Sequence, residues 1–217
     1  MHTDAEKKAS TVLFLRHGQT DYSKNRYYDD SIEDPSLNEI GLRSVGRWPS
    51  FFKGNPRKIA AVYVSPSCRT RQTAKLATAV LGLKHEIVAG LQEWRFGVWG
   101  GLTGREIQKK YPDEWAAWRA DMLHFSPSGG ESLSCFSKRV NATVAGLVAR
   151  HPGQTVLTVT HAGVIRMVVA AALEMPMLNF KRLVIAHASM TEIAYTDRWP
   201  NLHAFSYIPE IVNEETS

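Results

Sequence analysis

Arg16 and His17 end a short apolar run, Thr11-Val12-Leu13-Phe14-Leu15, and Gly18 follows at once. The run reads as a buried strand and the glycine as a turn. The pair therefore stands where a strand gives way to a loop, the edge at which α/β proteins bind ligands. A guanidinium in that place holds a phosphate through paired charge-assisted bonds. A neutral imidazole beside it is a nucleophile for phosphorus. Two more residues share the address. Arg69 opens a helix just after the apolar run 59–64, and His161 directly follows the strand predicted over 155–160. Two arginines and two histidines at converging strand ends make a pocket for a dianion, to which a helix beginning near Ser67 would add its N-terminal dipole.

Phosphoryl transfer to an imidazole needs one more group. The leaving alkoxide requires a proton, and the water that later hydrolyses phosphohistidine must lose one. A single carboxyl group does both in turn. Glu93, in a loop of alternating aromatics and glycines after the short strand 85–89, is the best placed. Asp21, Asp29, Asp30 and Asp34, all in the loop 18–36, are weaker candidates. Taken singly, each of these residues has a plain reading: a strand-end histidine, a surface helix arginine, a turn histidine, a solvated loop acid. Their coincidence at the strand ends is what points to phosphoryl chemistry.

The elements that must position them follow from periodicity. Asn38 caps a helix running to Phe52, with Leu42, Val45 and Trp48 on one face. Ser65-Pro66-Ser67 opens a helix running to Leu81, stopped by Gly82. Residues 94–130 interrupt the strand–helix alternation and read as a helical insertion over the strand ends, with helices from Thr103 and from Pro112. Leu133, Phe136, Val140, Val144 and Leu147 form the apolar stripe of a long helix, 132–150. A further helix runs to Leu173, Pro176 breaks the chain, and two late strands follow at 189–196 and 203–207. The whole chain, 1–217, reads as a single domain with flexible ends at 1–10 and 210–217.

Bulk properties narrow the function. A net charge of +5, from 26 Lys+Arg against 21 Asp+Glu, comes without a run of five basic residues or a basic helix interleaved with aromatics, which argues against nucleic acid. The most apolar late stretch, 164–173, is short and carries Arg166, which argues against a membrane span. Cys68 and Cys135 lack metal-type spacing and read as free thiols in a reducing compartment. The polar residues 1–10 show no apolar signal-peptide region. These features predict a cytoplasmic protein with neither metal nor cofactor. Oligomeric state is not written in the sequence.

Five short motifs in order resemble the histidine phosphatase superfamily, in its phosphoglycerate mutase-like branch. They are Leu15-Arg16-His17-Gly18-Gln19-Thr20, Ser65-Pro66 with Arg69 and Thr73-Ala74, the loop of Leu91, Glu93, Gly97 and Trp99, Gly129-Gly130-Glu131-Ser132, and His161-Ala162-Gly163-Val164-Ile165-Arg166. The resemblance implies a three-layer αβα sandwich with a mostly parallel central sheet and no metal. It implies His17 as nucleophile, Arg16, Arg69 and His161 as holders of the phosphoryl group, and Glu93 as proton donor and then acceptor. It also implies a substrate-pocket place for Ser23, where the family commonly has Asn, and Gln19 is a second pocket candidate.

Departures fall in the specificity region. Residues 22–36 lack the usual Gln-Gly pair, Ser36 replaces a Pro, and Gly100 stands where small phosphatases often carry Glu. The sequence after Glu93 resembles the phosphatase members, which implies hydrolysis of a small phosphorylated metabolite. A cofactor-dependent phosphoglycerate mutase is the alternative. A non-catalytic phospho-ligand binding protein is the third reading, and the presence of both His17 and Glu93 weighs against it.

Overall fold

The computed structural model describes residues 8–22, 26–28, 33–55 and 57–210. Six strands form one sheet: β1 (Ser10–Arg16), β2 (Ile59–Val64), β3 (His85–Ile87), β4 (Thr155–Thr160), β5 (Met190–Tyr195) and β6 (Pro200–Tyr207). Their order is β3-β2-β4-β1-β5-β6. The first four run parallel, and β5 and β6 add an antiparallel edge next to β1. The carboxyl ends of β1 to β4 therefore share one rim of the sheet.

Alternation along β1 sets the layers, because successive side chains of a strand point to opposite faces. Val12 and Phe14 join a core with Val140 and Val144 of α6 (Leu133–Arg150) and Ile165 and Val169 of α7 (Ala162–Ala172). Leu13 and Leu15 join another with Val45 of α1 (Glu39–Val45), Trp48 and Phe52 of α2 (Trp48–Gly54), and Ala74 and Ala77 of α3 (Cys68–Ala77). A strand buried on both faces is mostly apolar or β-branched, which is why β1 and β2 read as apolar runs and β4 as an alternation of threonine with valine and leucine. The architecture is the expected αβα sandwich with a mostly parallel sheet.

Several boundaries differ from expectation. Asn38 caps α1 as expected, its Oδ1 accepting from the Gly41 N–H at 2.9 Å. The single helix expected to Phe52 is instead two, with a turn at Gly46–Arg47 and Pro49 in the first turn of α2. A proline inside one continuous helix would break a backbone bond, whereas at a helix start it breaks none. The helix expected to reach Leu81 ends at Ala77, and turns lead to Gly82 at φ +64°. The strand expected over 85–89 stops at Ile87, and a 3-10 turn, Ala89–Leu91, takes its place. After Pro176, where only a break was expected, a 3-10 helix spans Met177–Arg182.

Residues 94–130 hold a 3-10 turn, Gly97–Trp99, with α4 (Gly104–Lys110) and α5 (Pro112–Ala120). Trp99 anchors them, packing on Trp115, Trp118 and Phe125. Among the described residues no helix is long and apolar enough to cross a membrane. Both cysteines are free thiols, Cys68 half-buried and Cys135 exposed.

Candidate active site

Each candidate residue follows the carboxyl end of one of the four parallel strands. His17 follows β1, Arg69 is in the first turn of α3 after β2, Glu93 follows the 3-10 turn after β3, and His161 caps α7 after β4. His17, Arg69 and His161 are buried, at 8%, 2% and 0% exposure. Their rings and guanidinium meet directly. Arg69 Nε donates to His17 Nε2 at 3.3 Å, Arg69 Nη2 lies 3.1 Å from His161 Nδ1, and the two imidazole centroids are 5.3 Å apart.

Hydrogen bonds fix the tautomers. His17 Nδ1 lies 2.8 Å from the Gly18 carbonyl oxygen, which can only accept, so Nδ1 carries the proton and Nε2 keeps its lone pair. Arginine only donates, so His161 Nδ1 accepts from Arg69 and its Nε2–H donates to Ser65 Oγ at 2.8 Å. Burial, then His161, Arg69 and Arg16, push His17 well below 6.5. Burial, then Arg69, Arg16 and Arg139, do the same for His161. Both rings are neutral at ordinary pH.

Arg16 is held by a segment the sequence did not flag. Its Nη1 donates to the Ile185 carbonyl and its Nη2 to His187 Nε2 at 2.8 Å, while its buried Nε has no partner among the described residues. Burial, with lesser repulsion from Arg166 and Arg69 partly offset by Glu93, lowers Arg16 to about 10. It still carries full charge at neutral pH. His187 is pushed down to about 4 by burial and by Arg16, so it accepts rather than repels. Its ring centroid is 5.6 Å from that of His17.

Glu93 is pinned by two backbone amides, Trp94 N–H to Oε1 at 3.0 Å and Gly163 N–H to Oε2 at 3.1 Å. Burial nevertheless raises it above its ordinary 4.5, against those amides and the pull of Arg69 and Arg16. Gly163 has no room for a side chain, since a Cβ there would run into the Glu93 carboxylate. The loop carrying Glu93 is clamped from behind. Arg139 Nη1 donates to the carbonyls of Gly90 and Gln92 at 3.0 and 2.9 Å, and its Nη2 donates to that of Glu93 at 3.2 Å. Glu131, itself 5% exposed, pairs with Arg139 and accepts from the Arg95 N–H.

The loop after β1 places its residues unevenly. Asp34 caps α3, accepting from the Cys68 N–H at 2.6 and 2.8 Å, and lies 3.9 Å from Arg69 Nη1. That cap was expected from the Ser65–Ser67 stretch, but Ser67 makes no capping bond and Ser65 serves His161 instead. The dipole end proposed for phosphate is thus already met by a carboxylate. Asp21 accepts from Asn38 on the outside. Gln19 is half-buried and its backbone carbonyl accepts from the Asn38 N–H at 3.0 Å. Ser23, Asp29 and Asp30 lie outside the described residues. Among the described residues no cluster of histidine, cysteine and carboxylate side chains has the makings of a metal site.

Ser65, Arg139 and His187 were not anticipated as site residues. Ser65 read as a cap, Arg139 lies within an ordinary helical stripe, and His187 follows a 3-10 helix with no periodic signal. A polar serine straight after an apolar strand was the available clue to the first. The other two carry no local clue.

Comparison with known proteins places the arrangement. The sequence pattern of the histidine phosphatase superfamily (branch 1) matches residues 12–207. A bifunctional protein of Mycobacterium tuberculosis is 36% identical over 172 residues, 79% of this chain and 46% of its own length. The chain thus spans about half the length of that relative. The glucosyl-3-phosphoglycerate phosphatase of Mycobacterium tuberculosis is 32% identical, with 86% of each chain covered. The solved structure of a mycobacterial glucosyl-3-phosphoglycerate phosphatase superposes with a TM-score of 0.76 at 28% identity, over 92% of this chain and 99% of that one. The α-ribazole phosphatase of Shigella flexneri shares the fold, with a TM-score of 0.79 at 23% identity over 91% and 96% of the chains. With its motifs in order, a fold that superposes on those neighbours over most of its length and a pattern match to residues 12–207, the chain belongs to the histidine phosphatase superfamily, branch 1.

Proposed function

We propose that this chain is a phosphomonoester hydrolase acting on a small phosphorylated metabolite through phosphohistidine. The observation that carries the reading is the His17 ring. Its Nδ1 proton is committed to the Gly18 carbonyl, and its Nε2 lone pair faces the Arg69–His161 cluster. Arg16 and Arg69 hold the phosphoryl oxygens, and the unpartnered Arg16 Nε–H is a donor ready for one of them. His161 joins them by taking on Nδ1 the proton that a monoanionic phosphate ester brings, its Nε2–H staying on Ser65. Nε2 of His17 bonds to phosphorus as the P–O bond to the alcohol breaks. Protonated Glu93 gives its proton to the leaving oxygen. The resulting carboxylate then takes a proton from water, which attacks phosphorus, releases His17 and frees inorganic phosphate. Gln19 and, on the family resemblance alone, Ser23 are assigned to substrate contacts, in a single domain of the cytoplasm that works without metal or cofactor. The phosphatase names of the relatives support hydrolysis over transfer.

The test is phosphate release from a panel of phosphorylated metabolites and an aryl phosphate. Release is expected, and His17→Asn should abolish it at least a thousandfold. Interconversion of phosphoglycerates without net phosphate release would identify a mutase instead. Tight phosphate binding without turnover would identify a binding protein.

A further inference from the structure

Two cations beside the site, Arg166 and Lys181, form no ion pair among the described residues. Arg166 lies on α7 one turn beyond Gly163, whose N–H holds Glu93. Helix side chains lean toward the N-terminus, so Arg166 reaches back toward the strand ends. There its Nε donates to the Leu183 carbonyl at 2.8 Å. Arg16 donates to the Ile185 carbonyl, two residues along the same non-helical segment. Two residues of chain span at most about 7 Å, so the two guanidinium groups are anchored side by side. Lys181 precedes that segment by two residues, its Nζ 4.9 Å from the Trp118 ring on α5.

Charge makes the arrangement informative. The carboxyl group acting on Arg166 is that of Glu93, and the charge acting on Lys181 is Arg166 itself. Burial and repulsion lower Lys181, and burial lowers Arg166. Glu93 must carry a proton to protonate a leaving group, and then neither cation faces a negative charge among the described residues. A cluster of like charges in a half-buried place is relieved by a bound anion. Glu93 also gives the direction: the side of the pocket it faces is where the alcohol part of the ester lies.

We infer that Arg166 and Lys181 form a second anion subsite on the leaving-group side, so that the preferred ester carries another negative group, a carboxylate or a second phosphate, on its alcohol. The inference rests on the phosphatase reading. Three esters of similar size test it on the full chain: sn-glycerol 3-phosphate, 3-phosphoglycerate and propane-1,3-diol bisphosphate. At least one of the two charged esters should exceed glycerol 3-phosphate in kcat/KM by tenfold or more, and the better one names the group. Lys181→Gln and Arg166→Gln should each shrink that preference severalfold, chiefly through KM. Lys181 has the greater solvent exposure of the two, so its variant keeps the test open should the Arg166 variant fail to fold. Equal kcat/KM for the three esters, or a preference that survives Lys181→Gln unchanged, overturns the subsite and leaves two solvated cations. Should neither these esters nor an aryl phosphate release phosphate, the phosphatase reading fails separately. Calorimetric affinities for the same three compounds then decide the subsite by the same ratio.

Discussion

At the residue, the division of labour proposed for His17 and Glu93 rests on opposite responses to the same burial. Burial keeps the imidazole neutral and the carboxyl group protonated to higher pH than usual. On the proposed mechanism His17 is therefore available as nucleophile well below pH 6.5, and Glu93 sets the alkaline side of the profile. For an alkyl phosphate, kcat/KM should fall as pH rises through a value above the ordinary glutamate 4.5, because the proton donor is then lost. Glu93→Gln should remove that limb. It should also lower alkyl phosphate hydrolysis by 100-fold or more, on the order expected of general acid catalysis, while slowing an aryl phosphate far less. Equal losses on both substrates would count against Glu93 as the acid.

At the element, the strand ends explain why the site was legible. β1, β2 and β4 are buried on both faces, so they read as apolar or β-branched runs, and the charged and imidazole residues after them stand out. That logic located His17, Arg69 and His161. It failed where tertiary contacts rather than local pattern decide. Pro49 split a helix whose apolar face continues across the break, and Asp34, remote in sequence, took the capping place assigned to a serine. Arg139 and His187 have no local signature, because one carbonyl cluster and one guanidinium define their roles. The clamp behind Glu93 also makes a prediction. Arg139→Met takes from buried Glu131 its closer cationic partner and leaves only Arg95, whose Nε is 3.8 Å away, and breaking such a buried pair costs about 3 kcal/mol. Thermal denaturation should show a loss of roughly 10 °C for a domain of this size. Poor leaving groups should suffer more than good ones in the folded variant, since the loop carrying Glu93 loses its anchor.

At the scale of the whole molecule, buried neutral histidines tie stability to pH. His17, His161 and His187 are all held below 6.5, so below that value the unfolded chain binds more protons than the folded one. Stability therefore falls as pH drops through 6.5, and for His187 the loss runs down to about 4. Glu93 acts in the other sense, since its raised value adds stability at low pH that is lost as pH rises. Three histidines against one carboxyl group predict net acid destabilisation between pH 6.5 and 5, measured as urea midpoints. His187→Gln should flatten that slope by up to one proton, about 1.4 kcal/mol per pH unit. An unchanged slope would mean that His187 is not held neutral by the fold. One local bond has a consequence for the molecule as a chemical reagent. The His17 proton is parked on the carbonyl of the very next residue, so the tautomer that leaves Nε2 its lone pair is set by a local bond. A Glu93→Gln protein should therefore still be phosphorylated by phosphoramidate, whose ammonia needs no help in leaving. It should then stall, because the group that would deprotonate water is gone. Intact-mass measurement at alkaline pH should find an accumulating phosphoprotein in that variant and none in His17→Asn, turning a slow enzyme into a stable carrier of one activated phosphoryl group.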